Sequence, residues 1–372
     1  MGGYPCFRAD EIINEYEGKK LDVEIVPQHT RVKIAFPTRL NIMVLDQTKI
    51  APNERMIFPA GEILISVKLF IHVTVEYLGN DNGDIVICDN VRRKVLVNRA
   101  YHLMAHILGR TPSIAIDVDD REVMKQSGLG TTGATLGAIC AAINELYGNP
   151  ADRLDLAGYL AANYGEEIDD VNPDELQCMP CFGGSFDGGF FEGSVQIIAG
   201  QAVPIMSGEY AGFVVIGIPN DYIPGTAASE VERHSKYLFE NPMVSDDAPV
   251  VNKAYNANVA YHLLNEAMPQ LRNGDISGIS RLSFDINFNV EAHSVTDYDW
   301  FFPRANEVAS NIRYLYDEGF CDGLGKSSTG PAFFALVRDQ RQYDEVVKAF
   351  QAQNMMTVRT EVCSEAYHVE IE

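Results

Sequence analysis

Residues 127–137 read SGLGTTGATLG, and their composition suits the binding of an anion. Gly128 and Gly130 allow tight turns and leave peptide N–H groups uncovered by side chains. The apolar run that follows predicts a helix over about 132–147, whose first amides and positive dipole end would lie at the loop. Phosphate or pyrophosphate fits such a site, and the threonine hydroxyls could donate to phosphate oxygens or coordinate Mg²⁺.

The loop differs from the common nucleotide motifs. It has no GxxxxGK[ST] pattern. In a dinucleotide-binding fingerprint the glycines follow a strand directly, whereas here the long tract DDREVMKQS lies between the preceding strand and the loop. A glycine-rich helix start that serves packing alone is the structural alternative. The predicted phosphate contacts are Gly128, Leu129, Gly130, Thr131, Thr132 and Gly133.

The net charge and the composition limit the classes of binding partner that the protein could have. The 372 residues carry a net charge of −23, which argues against a nucleic-acid partner and means that local amides, a few cations or a metal must attract an anionic ligand. No apolar run reaches membrane-spanning length, and residues 1–20 lack the apolar core of a signal peptide. Seven scattered cysteines are expected to be reduced thiols. We therefore expect a cytoplasmic protein with a small-molecule phosphorylated substrate.

Two motifs could indicate a metal or redox site, but a structural role is the simpler interpretation of each. Cys178 and Cys181 form a CxxC pair without a second pair nearby, so two loop thiols are favoured over a zinc or redox site. His102 and His106 lie four residues apart on a predicted helix, without the glutamate of an HExxH motif. A structural role is expected for both histidines.

The pattern of strands and helices predicts an α+β fold in two domains. Residues 1–30 read as an extension with one short helix near 9–16. Domains over 31–205 and 206–372 follow, because the strand pattern restarts near 206. Strands and helices mix in both halves without a regular βαβ alternation.

Three segments resemble the motifs of the GHMP superfamily of small-molecule kinases. PTRLNIMVLD, GLGTTGATLGAICAAINELYG and CDGLGKSSTGPAFFALV resemble its first, second and third motifs, in the same order. Within the superfamily the chain is most similar to β-ribofuranosylaminobenzene 5′-phosphate synthase (β-RFAP synthase), an archaeal-type family of methanopterin biosynthesis. The resemblance implies an N-terminal domain like the second domain of ribosomal protein S5, and a ferredoxin-like C-terminal domain. It departs at Asn41, where the synthase family has histidine.

The resemblance also implies a reaction and a site. The synthase joins 4-aminobenzoate to phosphoribosyl pyrophosphate and releases pyrophosphate and CO₂, and the family suggests a homodimer. Arg39 would clamp a phosphate or carboxylate, and Asp187 would hold Mg²⁺ or assist proton transfer, with Thr132 as a second Mg²⁺ ligand. Lys326, Ser327 and Ser328 would reach the phosphates from the late glycine-rich segment.

Each assignment has a structural alternative. Arg39 could pair only with Asp46 or Glu62, Asp187 could be a turn residue, and Lys326 could be a solvated loop lysine. The same loop would also serve an ATP-dependent kinase acting on a small alcohol, with Asp187 as base or Mg²⁺ ligand. A catalytically inactive ligand-binding protein on the same scaffold is the third alternative.

Overall fold

The computed structural model describes residues 6–18, 25–45, 61–124, 127–167, 175–178, 187–222, 256–286, 302, 304–327 and 330–372. The strands are β1 (Cys6–Arg8), β2 (Arg31–Val44), β3 (Glu62–Tyr77), β4 (Ile85–Ile87), β5 (Ile114–Asp119), β6 (Gly165–Glu167), β7 (Glu175–Cys178), β8 (Val195–Ala199), β9 (Val203–Gly208), β10 (Phe213–Pro219), β11 (Gly323–Lys326), β12 (Phe333–Val337), β13 (Met355–Glu361) and β14 (His368–Ile371).

Helices separate these strands. They are α1 (Lys94–Leu108), α2 (Thr131–Leu146), α3 (Arg153–Ala162), α4 (Asp187–Phe190), α5 (Met268–Arg272), α6 (Ser277–Arg281), α7 (Ala305–Ile312), α8 (Tyr314–Asp317) and α9 (Gln340–Ala352). Residues 256–262 are also helical, Leu263–Ala267 and Leu282–Ile286 form π-helical turns, and Gly200–Ala202 forms a 3₁₀ turn. None of the described helices is both long and apolar enough to span a membrane.

The first large sheet has the order β14-β2-β3-β5-β4, with β8 pairing β3 and β9 pairing β8. Its long strands alternate apolar residues, and α2 packs against β2 and β3 beside α1. Every residue of α2 is buried, as expected for a helix that is apolar on all sides. The small residues of TTGATLGAICAA let this helix lie close to the sheet. A side chain at Gly137, for example, would meet the Phe36 ring at 2.8 Å.

The second sheet is antiparallel, with the order β11-β12-β10-β13. Its strands follow the chain as β10, helices, β11, β12, α9 and β13, which is the ferredoxin-like arrangement. The expected α+β fold is therefore confirmed. The final strand β14 returns to the first sheet and pairs with β2, so the chain crosses the boundary predicted near residue 206. That boundary stays a prediction.

An apolar core joins the two sheets. Leu40 and Ile65 of the first sheet belong to the same buried cluster as Val214 and Ile216 of the second. Leu129, which lies between Gly128 and Gly130, is part of this cluster. The packing between the two sheets therefore holds this glycine-rich loop in place.

The helix predicted near residues 9–16 is wrong. In the described part of this segment, β1 is followed by turns, and apart from the Glu11 amide, which donates to the Arg8 carbonyl, several peptide groups bond to distant side chains. The buried guanidinium of Arg99 donates to the carbonyl oxygens of Ala9 and Glu11. The side-chain oxygen of Asn163 accepts from the amides of Ile13 and Asn14, both at 3.0 Å. These long-range bonds replace the helical ones.

Candidate active site

The glycine loop, residues 127–130, turns sharply into α2. Gly128 and Gly130 have φ values of 92° and 63°, a region in which residues other than glycine are strained. Gly130 is the N-cap of α2, and no side chain caps the helix. Because the first amides of a helix have no acceptor within it, the helix presents uncapped N–H groups at this point.

A second glycine-containing segment contacts the glycine loop directly, and its described residues, 327 and 330–332, are called the late loop here. The Ser327 hydroxyl donates to the Gly128 carbonyl at 2.5 Å, and the Ala332 amide donates to the Ser127 carbonyl at 3.2 Å. A side chain at Gly330 would come within 2.4 Å of the Gly128 nitrogen. The close approach of the two backbones explains why both loops need glycine.

Lys326 is the last residue of β11, and Ser327 follows it at the start of the late loop. Lys326 is only 1% exposed, so the alternative of a solvated loop lysine is wrong. The Ser327 hydroxyl also accepts from the Asn41 amide at 2.9 Å, which connects the late loop to β2. Ser328 lies outside the described residues, as does Asp46.

Arg39 lies under the glycine loop. Two irregularities in the β2–β3 register, between Pro37 and Thr38 and between Asn41 and Met43, bracket this residue. Such bulges are common beside functional sites because they redirect side chains. The Arg39 amide donates to the Leu129 carbonyl at 3.2 Å, and a side chain at Gly130 would meet the Arg39 Nε at 2.9 Å.

The described carboxylate nearest to the Arg39 guanidinium belongs to Glu62. Arg39 Nη2 and Glu62 Oε2 lie 3.9 Å apart, beyond hydrogen-bond distance, and both side chains are almost fully buried. Neither carboxylate oxygen of Glu62 has a hydrogen-bond partner, and neither does the side-chain nitrogen of Asn41. Burial raises the pKa of Glu62 to about 7, although nearby Arg39 and Asn41 lower it.

A second buried arginine binds the first turn of α2. Arg93, just before α1, donates from Nε to Glu167 at 2.7 Å and from Nη2 to the Thr132 hydroxyl at 2.5 Å. That hydroxyl in turn donates to Glu166 at 2.9 Å, and Glu166 also accepts from Tyr164. Burial disfavours the charge on Arg93, but Glu167 and Glu166 outweigh that effect and raise its pKa.

Arg93, Glu166 and Glu167 were not among the site residues predicted from the sequence. Two adjacent carboxylates in the otherwise apolar stretch AANYGEE, directly after a helix, were the available signal. Their partner Arg93 lies more than 70 residues earlier, so the sequence pattern did not connect them. The three side chains join Thr132 through hydrogen bonds at the first turn of α2.

Asp187 begins the short helix α4. Its side chain is outside the described part of the structure, so only its position on the backbone is known. A side chain at the next residue, Gly188, would lie 3.0 Å from the Arg39 Cβ. The backbone at Asp187 therefore comes close to Arg39, and the Gly188 carbonyl accepts from Ser66 at 2.7 Å.

Comparison with known proteins identifies the architecture. Residues 95–173, which include the glycine loop and α2, match the family described as GHMP kinases N terminal domain. No protein of curated function matches the chain in sequence.

Solved structures match almost the whole chain. Mevalonate diphosphate decarboxylase from Staphylococcus aureus has a TM-score of 0.65 at 10% identity, covering 92% of this chain and 98% of that one. Homoserine kinase from Cytophaga hutchinsonii has a TM-score of 0.59 at 16% identity, covering 94% and 100%. Mevalonate kinase from L. major, solved with R-mevalonate, has a TM-score of 0.59 at 14% identity, covering 92% and 99%. The chain has the GHMP kinase fold.

In this GHMP kinase fold, a cleft of about 310 Å³ opens beside the glycine loop and between the two sheets. Arg121 and Glu122 contribute polar groups to a lining that is otherwise apolar. The apolar part comes from β3, residues 123–124, the glycine loop and the second sheet, and includes Leu69, Met124, Leu129, Ile216 and Met356. The loop is therefore next to open space on one side.

One of the two predicted Mg²⁺ ligands, Thr132, fits a metal poorly. The Thr132 hydroxyl already donates to Glu166 and accepts from the Arg93 guanidinium, a cation. In the described ranges, no group of three histidine, cysteine, aspartate or glutamate side chains is placed to hold a metal ion. The side chain of Asp187, the other predicted ligand, lies outside those ranges.

The remaining motifs have structural settings. His106 lies 3.1 Å from a Glu15 carboxylate oxygen and stacks on Tyr159, so it packs residues of the N-terminal extension against α1. Cys178 ends strand β7, which differs from the expected loop position, and Cys181 is outside the described residues.

Proposed function

We propose that this protein is a GHMP-type kinase that binds the phosphates of ATP at the glycine loop and phosphorylates a small alcohol. The observation that carries this proposal is the uncapped start of α2 directly after the glycine loop, in which Gly128 accepts from the late loop and Leu129 lines a cleft. An oligophosphate is the ligand that such an arrangement of amides binds best. The match of residues 95–173 to the kinase N-terminal domain supports the same class.

In the proposed reaction, the alcohol oxygen attacks the terminal phosphorus of ATP, the bond to the bridging oxygen breaks, and ADP leaves. Asp187 would accept the proton of the alcohol, since its backbone lies beside Arg39. Lys326 and Arg39 would balance the charge of the phosphates and of Asp187. No step uses a metal held by Thr132, because its hydroxyl is bonded to Arg93 and Glu166.

The second candidate is the β-RFAP synthase reaction. It is favoured by the resemblance of residues 326–336, KSSTGPAFFAL, to the synthase family, and by the contact of Ser327 with Gly128. Here the ring carbon of 4-aminobenzoate attacks the anomeric carbon of phosphoribosyl pyrophosphate, pyrophosphate leaves, and the carboxylate departs as CO₂. The glycine loop would then bind the leaving pyrophosphate.

Product analysis separates these candidates. The purified protein is incubated with ATP and a panel of small alcohols, or with phosphoribosyl pyrophosphate and 4-aminobenzoate. Alcohol-dependent ADP release supports the kinase, whereas joint release of pyrophosphate and CO₂ supports the synthase. If neither ATP nor phosphoribosyl pyrophosphate raises the melting temperature, with or without Mg²⁺, both proposals are wrong and a non-catalytic scaffold is favoured.

Asp187→Asn tests the proposed base. We expect turnover to fall about 10²- to 10⁴-fold, the usual contribution of general base catalysis, while ligand affinity changes little. Single-turnover rates and titration of ATP measure the two effects separately. Unchanged turnover would remove Asp187 from the mechanism.

A further inference from the structure

Arg93 occupies the place at the start of α2 where the sequence predicted a metal ion. Its guanidinium lies within hydrogen-bond distance of the Thr132 hydroxyl and of Glu167, and 3.9 Å from Glu166. A divalent ion bound to the same hydroxyl oxygen would stand directly against this cation, and the two like charges would repel. The geometry of Thr132 therefore favours a guanidinium over a metal.

The guanidinium also has unused binding capacity. Arg93 is 4% exposed, and its Nη1 nitrogen has no hydrogen-bond partner. A buried donor without an acceptor is costly, and the guanidinium is always charged. Because Nη1 and the Thr132-bound Nη2 belong to the same planar group, the unpartnered donor lies beside the first turn of α2. A phosphate oxygen at that turn could accept from it.

The carboxylates around Arg93 hold it in place. Glu167 binds Nε, while Glu166 binds the Thr132 hydroxyl and also accepts from Tyr164, so the side chain is fixed on two sides. A cation fixed in this way is preorganised for an anion, since it loses little freedom when the anion binds. Arg92, the preceding residue, differs in being exposed and paired with Asp120 at the surface.

We propose that Arg93 is an oligophosphate-binding residue, and that its guanidinium supplies the positive charge at the start of α2 in place of a divalent ion bound to Thr132. The proposal rests on the proposed function only in taking an oligophosphate as the ligand. It predicts that the phosphate site works without a divalent ion, and that removing Arg93 opens a position for one.

The first test titrates pyrophosphate into the wild-type protein by calorimetry, with Mg²⁺ and with EDTA at equal ionic strength. We expect affinities that differ less than about threefold, since every tenfold change would need a further 1.4 kcal/mol from the metal. Binding that requires Mg²⁺ would overturn the role of Arg93 and leave the proposed function standing. No binding under either condition would overturn both.

Variants give a second, independent readout. In EDTA, Arg93→Met should weaken pyrophosphate binding at least 100-fold and Arg93→Lys less, whereas the matched control Arg92→Met should change it less than twofold. Electron paramagnetic resonance with Mn²⁺ alone should show no tight ion in the wild type but a bound ion in Arg93→Met. A tight Mn²⁺ site in the wild type that Thr132→Val removes would contradict the proposal, and this measurement needs no Arg93 variant to fold.

Discussion

Two buried arginines contact the segment that runs from the glycine loop to the first turn of α2, and they are held in different ways. Arg93 makes hydrogen bonds of 2.7 Å and 2.5 Å to Glu167 and Thr132, so its charge and position are fixed together. Arg39 contacts the glycine loop, and its neighbour Glu62 lies 3.9 Å away, beyond hydrogen-bond distance. The Arg93–Glu167 pair is therefore hydrogen-bonded, whereas the Arg39–Glu62 pair is not.

The difference shows what decides the charge of a buried carboxylate. Coulomb attraction from Arg39 does lower the pKa of Glu62, but burial raises it more, and the result is about 7. Glu167 accepts a hydrogen bond from Arg93, whereas Arg39 lies too far from Glu62 to donate one that would further favour the charged form. Glu62 can therefore lose its charge near neutral pH, so the negative charge beside Arg39 depends on the pH.

The largest expected effect comes from removing each arginine in turn. Arg93→Met should lower the free energy of unfolding by about 3 to 5 kcal/mol at pH 7, the cost of breaking a buried ion pair. Arg39→Met should cost clearly less at the same pH, because Glu62 can take up a proton when its cation is removed. Urea unfolding followed by circular dichroism measures both, and equal losses would refute the contrast.

The second prediction concerns pH. Between the ordinary carboxyl pKa of 4.5 and about 7, folded Glu62 holds a proton that the unfolded chain has released. Its contribution to stability is thus complete below this window and is lost as the pH rises through it, by on the order of 3 kcal/mol. Glu62→Gln, a neutral mimic, should abolish that part of the pH dependence.

Unfolding of the wild type and Glu62→Gln in parallel from pH 5 to pH 8 isolates this one group, since all other groups titrate in both proteins. The variant should become the more stable of the two toward pH 8. If the stability difference between them does not change with pH, Glu62 does not titrate in this range.

The third prediction tests the glycine loop, which Arg39 contacts and which leads into the turn of α2 that Arg93 binds. Gly128→Ala places a side chain at positive φ and within 2.6 Å of the Ser327 carbonyl, so it should cost about 2 kcal/mol and weaken pyrophosphate binding. Gly109→Ala is the matched control, since Gly109 also has positive φ but no atom would lie within 4 Å of the new methyl group. It should cost roughly 1 kcal/mol and leave binding unchanged.

Local signals allowed the loop and its helix to be predicted, whereas the arginine sites depended on distant contacts. The run of small apolar residues placed α2 within one residue of its observed bounds, and the glycines marked the turn before it. Arg93 and Glu166 are brought together only by the packing of α1 and β6 against α2, which no local period encodes. The helix prediction for residues 9–16 was wrong for the same reason, because the distant residues Arg99 and Asn163 bind the peptide groups of this segment.

The smallest expected effect is the loss of stability on replacing Thr132, compared with replacing its neighbour Thr131. It also shows whether Thr132 and Arg93 stabilise the protein as one network. Thr132→Val keeps the shape but removes the bonds to Arg93 and Glu166, which should cost about 1 to 2 kcal/mol in unfolding free energy. Thr131→Val is the matched control, since no described residue bonds to the Thr131 hydroxyl, and it should stay within about 0.5 kcal/mol of the wild type.

If the network is a unit, Thr132→Val combined with Arg93→Met should cost less than the sum of the single changes. Strict additivity would mean that Thr132 and Arg93 act separately, and the contrast with the Arg39–Glu62 pair would lose its basis.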